Sequence, residues 1–192
     1  MDEQRETHEE IIIAGFGGQG IILSGKLLAH TGMQAGKNVT YMPSYGAEVR
    51  GGTANCMVVI SDKPIASPVV TYPNSLIAMN KASLNKFAGR VKSGGLLIYN
   101  STLIDTAIPD DVRENVRVIA VPADETAIQL GSKKSVNMVA LGAYLGARGI
   151  LTTRQVATSL PDVLAERYHK TLPVNTKALE KGAALASSFA KA

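Results

Sequence analysis

Only one cysteine, Cys56, occurs in the 192 residues, and there is no tryptophan. A lone thiol cannot close an internal disulfide, and an iron–sulfur cluster takes about four thiolates. The three histidines, His8, His30 and His169, have no metal-ligand spacing. No basic run is interleaved with aromatics, which make up 5% of the chain, so nucleic acid is not an expected partner. No apolar stretch approaches the ~20 residues that span a bilayer. The longest, 138–147, is interrupted by Gly142 and Gly146. The opening MDEQRETHEE has neither the basic start nor the apolar stretch of a secretory signal. No catalytic triad or carboxylate pair is visible. These absences predict a cytoplasmic protein that holds no metal or redox group by itself.

Charge and composition supply the first positive features. The first ten residues hold five acids against one arginine, while the whole chain carries +4, so the remainder is about +8. A basic body suits an acidic partner or a polyanionic ligand; scattered surface lysine explains it equally well. Apolar content of 45% is enough for one globular domain. The expected organisation is a flexible tail over 1–9 and a single domain over 10–192.

Strand-like and helix-like segments alternate. Ile11-Ile12-Ile13-Ala14 is a short β-branched run of the kind buried on both faces of a parallel sheet. Residues 21–35 read as a helix with a polar stripe of Lys26, His30, Gln34 and Lys37, leaving Ile21, Ile22, Leu28 and Ala29 to pack. Strands are expected at 38–42, 55–60, 75–78, 96–99 and 116–121. Helices are expected near 81–88, 124–130, 136–147, 152–159 and 175–189. Asp110-Asp111 reads as a turn and 170–174, with Pro173, as a break. Two strand-like segments without an intervening helix in the region 43–73 call for one antiparallel element. The predicted class is α/β: three layers, α/β/α, around a mostly parallel, mixed central sheet.

The first strand runs into Gly15-Phe16-Gly17-Gly18-Gln19-Gly20. Glycines there allow positive φ and close backbone approach, and a helix N-terminus favours anions. A β-branched side chain at Gly17 is expected to be harmful, since it penalises positive φ and blocks close approach. A dinucleotide fingerprint also needs an acid about 20 residues on, at the end of the second strand. That strand ends Tyr41-Met42-Pro43-Ser44, and the first acid afterwards is Glu48. Three readings stay open: NAD or FAD binding, tight packing including contact with another chain, and binding of a coenzyme A pyrophosphate.

A second glycine-bearing loop, Ser44-Tyr45-Gly46-Ala47-Glu48-Val49-Arg50-Gly51-Gly52-Thr53, is more distinctive. Gly51-Gly52 can form an anion-binding concavity, Arg50 offers a planar fork, and Glu48 can orient Arg50 or face a partner. Loops at the carboxyl ends of neighbouring strands share one crevice, so 15–20 and 43–53 are expected side by side. Cys56, amid apolar strand residues, reads as an inert buried thiol. Asn137, opening an apolar helix, reads as a cap or a bridge to a loop.

In order and spacing, GFGGQG followed by PSYGAEVRGGTANCMVVIS resembles the gamma subunits of 2-oxoacid:ferredoxin oxidoreductases, and Asn137-Met138-Val139-Ala140-Leu141-Gly142 is similar to a third family block. The resemblance spans about residue 10 to beyond 182. It implies a component of a complex that decarboxylates a 2-oxoacid on thiamine diphosphate. That complex passes two electrons through [4Fe-4S] clusters to ferredoxin and releases an acyl-CoA. Thiamine diphosphate is then held by alpha and beta subunits, with clusters on other chains, such as a ferredoxin-like delta subunit, or on other domains. The resemblance further implies that this chain packs against the catalytic subunits, helps admit or contact coenzyme A, and is inactive in isolation. The family's glycines map onto Gly15, Gly17, Gly18, Gly20, Gly46, Gly51 and Gly52, with Gln19, Ser44, Tyr45, Glu48, Arg50 and Asn137 in the same blocks. YGAEVRGG fits the 2-oxoglutarate, 2-oxoisovalerate and pyruvate branches, and 2-oxoglutarate is the first expectation. The competing expectations are a free-standing NAD- or FAD-binding enzyme and a noncatalytic interaction module.

Overall fold

The computed structural model describes residues 6–44 and 54–188. Ile11, Ile12 and Ile13 are each at most 1% exposed, because β1 (His8–Gly15) lies mid-sheet and is covered on both faces. β3 (Ala54–Ser61) pairs with it antiparallel, and β4 (Ser75–Ala78) pairs with it in parallel. β5 (Leu96–Asn100) and β6 (Arg117–Val121) continue the parallel side. β2 (Asn38–Ser44) is an edge strand outside β3 and antiparallel to it. The order is β2-β3-β1-β4-β5-β6, and β3 alone runs against the rest. The mixed, mostly parallel sheet is therefore as expected. The adjacency of β1 and β2 is not: β3 is inserted between them. Pro43 is tolerated in β2 because an edge strand can spare a backbone donor.

Alternating side chains of the sheet feed two separate cores. Ile11, Ile13, Ile77, Ile98 and Ile119 point to one side, under α1 (Ile21–Gln34), α4 (Ala123–Gln129), α5 (Val136–Arg148), α6 (Thr153–Val163) and α7 (Leu172–Ser188). Ile12, Ala14, Leu76 and Leu97 point to the other, under α2 (Lys81–Phe87), α3 (Asp110–Asn115), Ile104 and Ile108. The layers are thus unequal in thickness.

α5 and α7 pack backbone against backbone. A Cβ on Gly146 would come within 2.7 Å of the Ala183 carbonyl, and side chains on Gly142 or Gly182 would run into Leu179 and Val139 main chain. Small residues along these helices are what permit that approach.

Four local expectations are corrected. Asp110-Asp111 starts α3, where two acids in the first turn favour a helix dipole. α6 continues past Pro161 to Val163. α7 begins at Leu172, so Pro173 sits in its first turn, where its missing N–H has no bond to lose. Finally, β1 begins at His8 and Glu9 is 3% exposed, so residues 8 and 9 belong to the sheet rather than to a tail.

Candidate functional site

Gly15 ends β1 at the carboxyl rim of the sheet, opposite Ala54 of β3. The turn that follows is closed by its own amide. Gln19 Oε1 accepts from the Phe16 N–H at 2.7 Å, and Gln19 Nε2 donates to the Met79 carbonyl at 3.3 Å, beyond the end of β4. Asn80 Nδ2 approaches Gln19 Oε1 at 3.5 Å while Asn80 Oδ1 caps α2 through the Ser83 N–H. Gln19 thus staples the turn to the neighbouring strand end. Positive φ falls at Gly18 (89°) and Gly20 (75°), so Gly17 is not the position that requires it. Gly20 opens α1 in the left-handed conformation, and no side chain caps the helix. The first N–H groups of α1 therefore lack intrahelical acceptors and carry the positive end of its dipole.

α5 buttresses this turn. Asn137, its second residue and 6% exposed, donates through Nδ2 to the Gly20 carbonyl and to Ser24 Oγ, each at 3.3 Å. The expected bridge from Asn137 to a loop is present.

Between the turn and the segment 132–137 lies a groove of about 500 Å³. Leu23, Leu164 and the half-exposed Tyr168 give it apolar walls, while Ser132, Lys133, Lys134, Asp124 and Asn175 supply polar ones. Lys133 and Lys134 are exposed and make no ion pair among the described residues. Asp124 is held by Asn100, whose Nδ2 donates to its Oδ2 at 2.6 Å and whose Oδ1 accepts from the Ala123 N–H. Asn175 is tied to Ser135 and Thr171. The groove therefore joins a cationic wall and free helix N–H groups, suited to an anion, to one fixed carboxylate.

Of the expected site residues, Gly15, Gly17, Gly18, Gln19 and Gly20 form one turn, and Asn137 joins them. Ser44 ends β2, exposed and opposite Asn55, one residue from the Gly15–Ala54 pair. Both ends of the second loop are thus anchored on the rim that carries the glycine turn. Tyr45, Gly46, Glu48, Arg50, Gly51 and Gly52 lie outside the described residues. Lys133, Lys134 and Asp124 escaped the sequence reading. A Lys-Lys pair flanked by serines just before Asn137 was the available signal.

Other groups near α1 are spoken for. Cys56 is fully buried and its Sγ approaches the Ile21 carbonyl at 3.4 Å; burial pushes its thiol pKa up to about 12. Tyr41 donates to the Ile22 carbonyl, and burial, then the neighbouring Cys56, raises its phenol to about 12. His30 and Gln34 both meet Asp162 of α6, so the polar stripe of α1 is partly an internal contact. Among the described residues no group of three or more His, Cys, Asp and Glu could hold a metal ion, and no helix is long and apolar enough to cross a membrane.

Fold and groove together define an α/β component with one open rim. The chain matches the pyruvate ferredoxin/flavodoxin oxidoreductase family over residues 10–185 and belongs to it. It is 38% identical over 187 residues to the ketoisovalerate oxidoreductase subunit VorA of Methanothermobacter marburgensis, covering 95% of this chain but 37% of that protein. The keto/oxoacid ferredoxin oxidoreductase gamma subunit from Geobacter sulfurreducens superposes with a TM-score of 0.79 at 27% identity, over 94% of this chain and 99% of that one. A 2-oxoglutarate:ferredoxin oxidoreductase from Magnetococcus marinus, solved with 2-oxoglutarate, coenzyme A and succinyl-CoA bound, gives a TM-score of 0.84 at 31% identity. There the match covers 96% of this chain and 32% of the other. The chain thus spans about a third of the longer proteins it matches.

Proposed function

We propose that this chain is the gamma component of a cytoplasmic 2-oxoacid:ferredoxin oxidoreductase. The reaction converts a 2-oxoacid, coenzyme A and two oxidised ferredoxins into acyl-CoA, carbon dioxide, a proton and two reduced ferredoxins. In the complex, thiamine diphosphate on alpha and beta subunits supplies the carbanion chemistry, and [4Fe-4S] clusters on other chains or domains carry the electrons. The donor set here does not fit a [4Fe-4S] cluster, which takes about four thiolates: the one cysteine is buried in strand β3 with its Sγ against the Ile21 carbonyl. It does fit part of coenzyme A. Lys133, Lys134 and the opening N–H groups of α1 would take a phosphate, while Leu23, Leu164 and Tyr168 would lie along apolar parts of the ligand. Ser44, Tyr45, Gly46, Glu48, Arg50, Gly51 and Gly52 would complete the surface against the catalytic subunits.

The observation that carries this reading is the open groove beside the GFGGQG turn in a chain of this family. Substrate choice would rest with other subunits. 2-Oxoglutarate is the first candidate, supported by the likeness to the Magnetococcus enzyme; ketoisovalerate is second, supported by VorA. A free-standing NAD enzyme is disfavoured because β2 ends in Tyr41-Met42-Pro43-Ser44, without a ribose-binding acid, and β3 separates it from β1.

The test is a pull-down through a tag on this chain from its native source. Larger subunits should co-purify and reduce a viologen dye only when both a 2-oxoacid and coenzyme A are present. Nicotinamide-dependent turnover by the isolated chain would overturn the proposal.

A further inference from the structure

Asn137 is an unusual residue for its place. It is the second residue of a helix whose next eight residues, Met138–Leu145, are buried, and a buried carboxamide is costly unless it is hydrogen-bonded. Its Nδ2 finds two acceptors, both belonging to the start of α1 rather than to its own helix. Ser24 closes the arrangement: its N–H (3.0 Å) and its Oγ–H (3.1 Å) both donate to the Gly20 carbonyl. The carbonyl, the hydroxyl and the carboxamide thus form one closed triangle at the point where the chain turns from left-handed Gly20 into α1. A Cβ on Gly20 would strike the Asn137 carboxamide, so the two residues are fitted to each other. Because the Gly20 carbonyl can only accept, the nitrogen of the amide must be the atom facing it. Its oxygen has no hydrogen-bond partner among the described residues, and Asn137 lies on the wall of the groove.

We infer that Asn137 is a positioning residue for the groove. By latching Gly20 and Ser24, it fixes the direction of the N–H groups that open α1 and so sets how tightly the groove holds the anionic end of its ligand. This rests on the reading of the groove as a coenzyme A-facing surface, and two variants separate it from a mere packing role. Asn137→Ala removes the latch. Asn137→Asp keeps the size but at neutral pH has no proton to donate. It also places a negative charge in the first turn of α5, which favours that helix. Loosening of the turn in the Asp variant therefore cannot come from unravelling of α5.

Hydrogen exchange on the isolated chain reads the latch directly. Both variants should speed exchange at the Gln19 and Ser24 amides about tenfold, with α5 and α7 amides unchanged. In the purified complex both should raise KM for coenzyme A at least fivefold, leaving kcat and the 2-oxoacid KM as in wild type. Unchanged exchange at Gln19 and Ser24, a uniform rise throughout α5, or an unchanged coenzyme A KM would each overturn the inference. A wild-type complex without coenzyme A-dependent activity would instead sink the functional proposal, and the exchange experiment would still decide whether the latch exists.

Discussion

The two ends of one sheet are finished in opposite ways. At the amino end, most of the ionic groups are paired. Arg148 of α5 grips the buried Glu9 carboxylate with two bonds, of 3.0 and 2.5 Å, and Ser75 Oγ donates to the same carboxylate. The Tyr144 hydroxyl is buried beside them, and burial, then the Glu9 charge, holds its pKa well above the ordinary phenol value. Lys37 meets Asp62, Lys63 meets Glu6 and Lys92 meets Glu10. At the carboxyl end, hydrogen bonds fix the turn and the strand ends in place and Lys81 faces Asp105 at 3.9 Å, but among the described residues Lys133, Lys134, the first N–H groups of α1 and the Asn137 amide oxygen have no partner. Satisfied polar groups stabilise a fold, whereas positioned unsatisfied ones bind something else. The contrast leaves one rim closed and the other open, and α5 runs between them, with Asn137 at one end and Arg148 at the other.

The largest effect should come from breaking the close packing of α5 on α7. Gly182→Val would push α7 off the α5 main chain and cost about 3 kcal/mol or more. Chemical denaturation should show a large fall in stability, with loss of function following from the fold.

Arg148→Met comes next. It leaves the Glu9 carboxylate buried without its partner, a cost of about 3 kcal/mol. Adding Glu9→Gln should recover part of the loss in a double-mutant cycle. The coenzyme A KM of the assembled complex should not move, because the closed rim has no part in the groove.

The open rim should behave in reverse. Lys133→Ala with Lys134→Ala should change stability by less than about 0.5 kcal/mol. It should raise the coenzyme A KM roughly tenfold, the equivalent of one charge-assisted contact.

The smallest effect belongs to Asp62. The Lys37 ammonium and the Thr7 N–H hold its carboxyl below the usual carboxylate range. A depressed folded-state pKa contributes stability that is complete above about pH 4 and disappears as pH falls through the folded value. Asp62→Asn should therefore slightly flatten the acid limb of the stability profile and leave stability near neutral pH almost unchanged, since the pair is exposed.

Much of the fold was legible in the sequence because its signals are local. Ile11–Ile13 marked a doubly covered strand, GFGGQG marked its exit, and the period of apolar residues placed α1 and α5. What was missed depends on long-range partners. Glu9 reads as part of an acidic tail until Arg148, 139 residues away, arrives to neutralise it. β3 lies between β1 and β2 and pairs with both, and no local pattern records that choice. Gly17 and Gly18 look alike in sequence, and only the backbone shows that 18 and 20 carry positive φ. For the site, the motif turn was visible, while Lys133 and Lys134 sit in a short connection that only folding brings to the groove.

Lysine acetylation of the free chain and of the intact complex, compared by mass spectrometry, tests the division between the two rims most directly. Lys133 and Lys134 should react in the free chain and be protected in the complex once coenzyme A is bound, while Lys37, Lys63 and Lys92 at the amino end should react alike in both. Protection at the amino end with Lys133 and Lys134 still reactive would contradict the account.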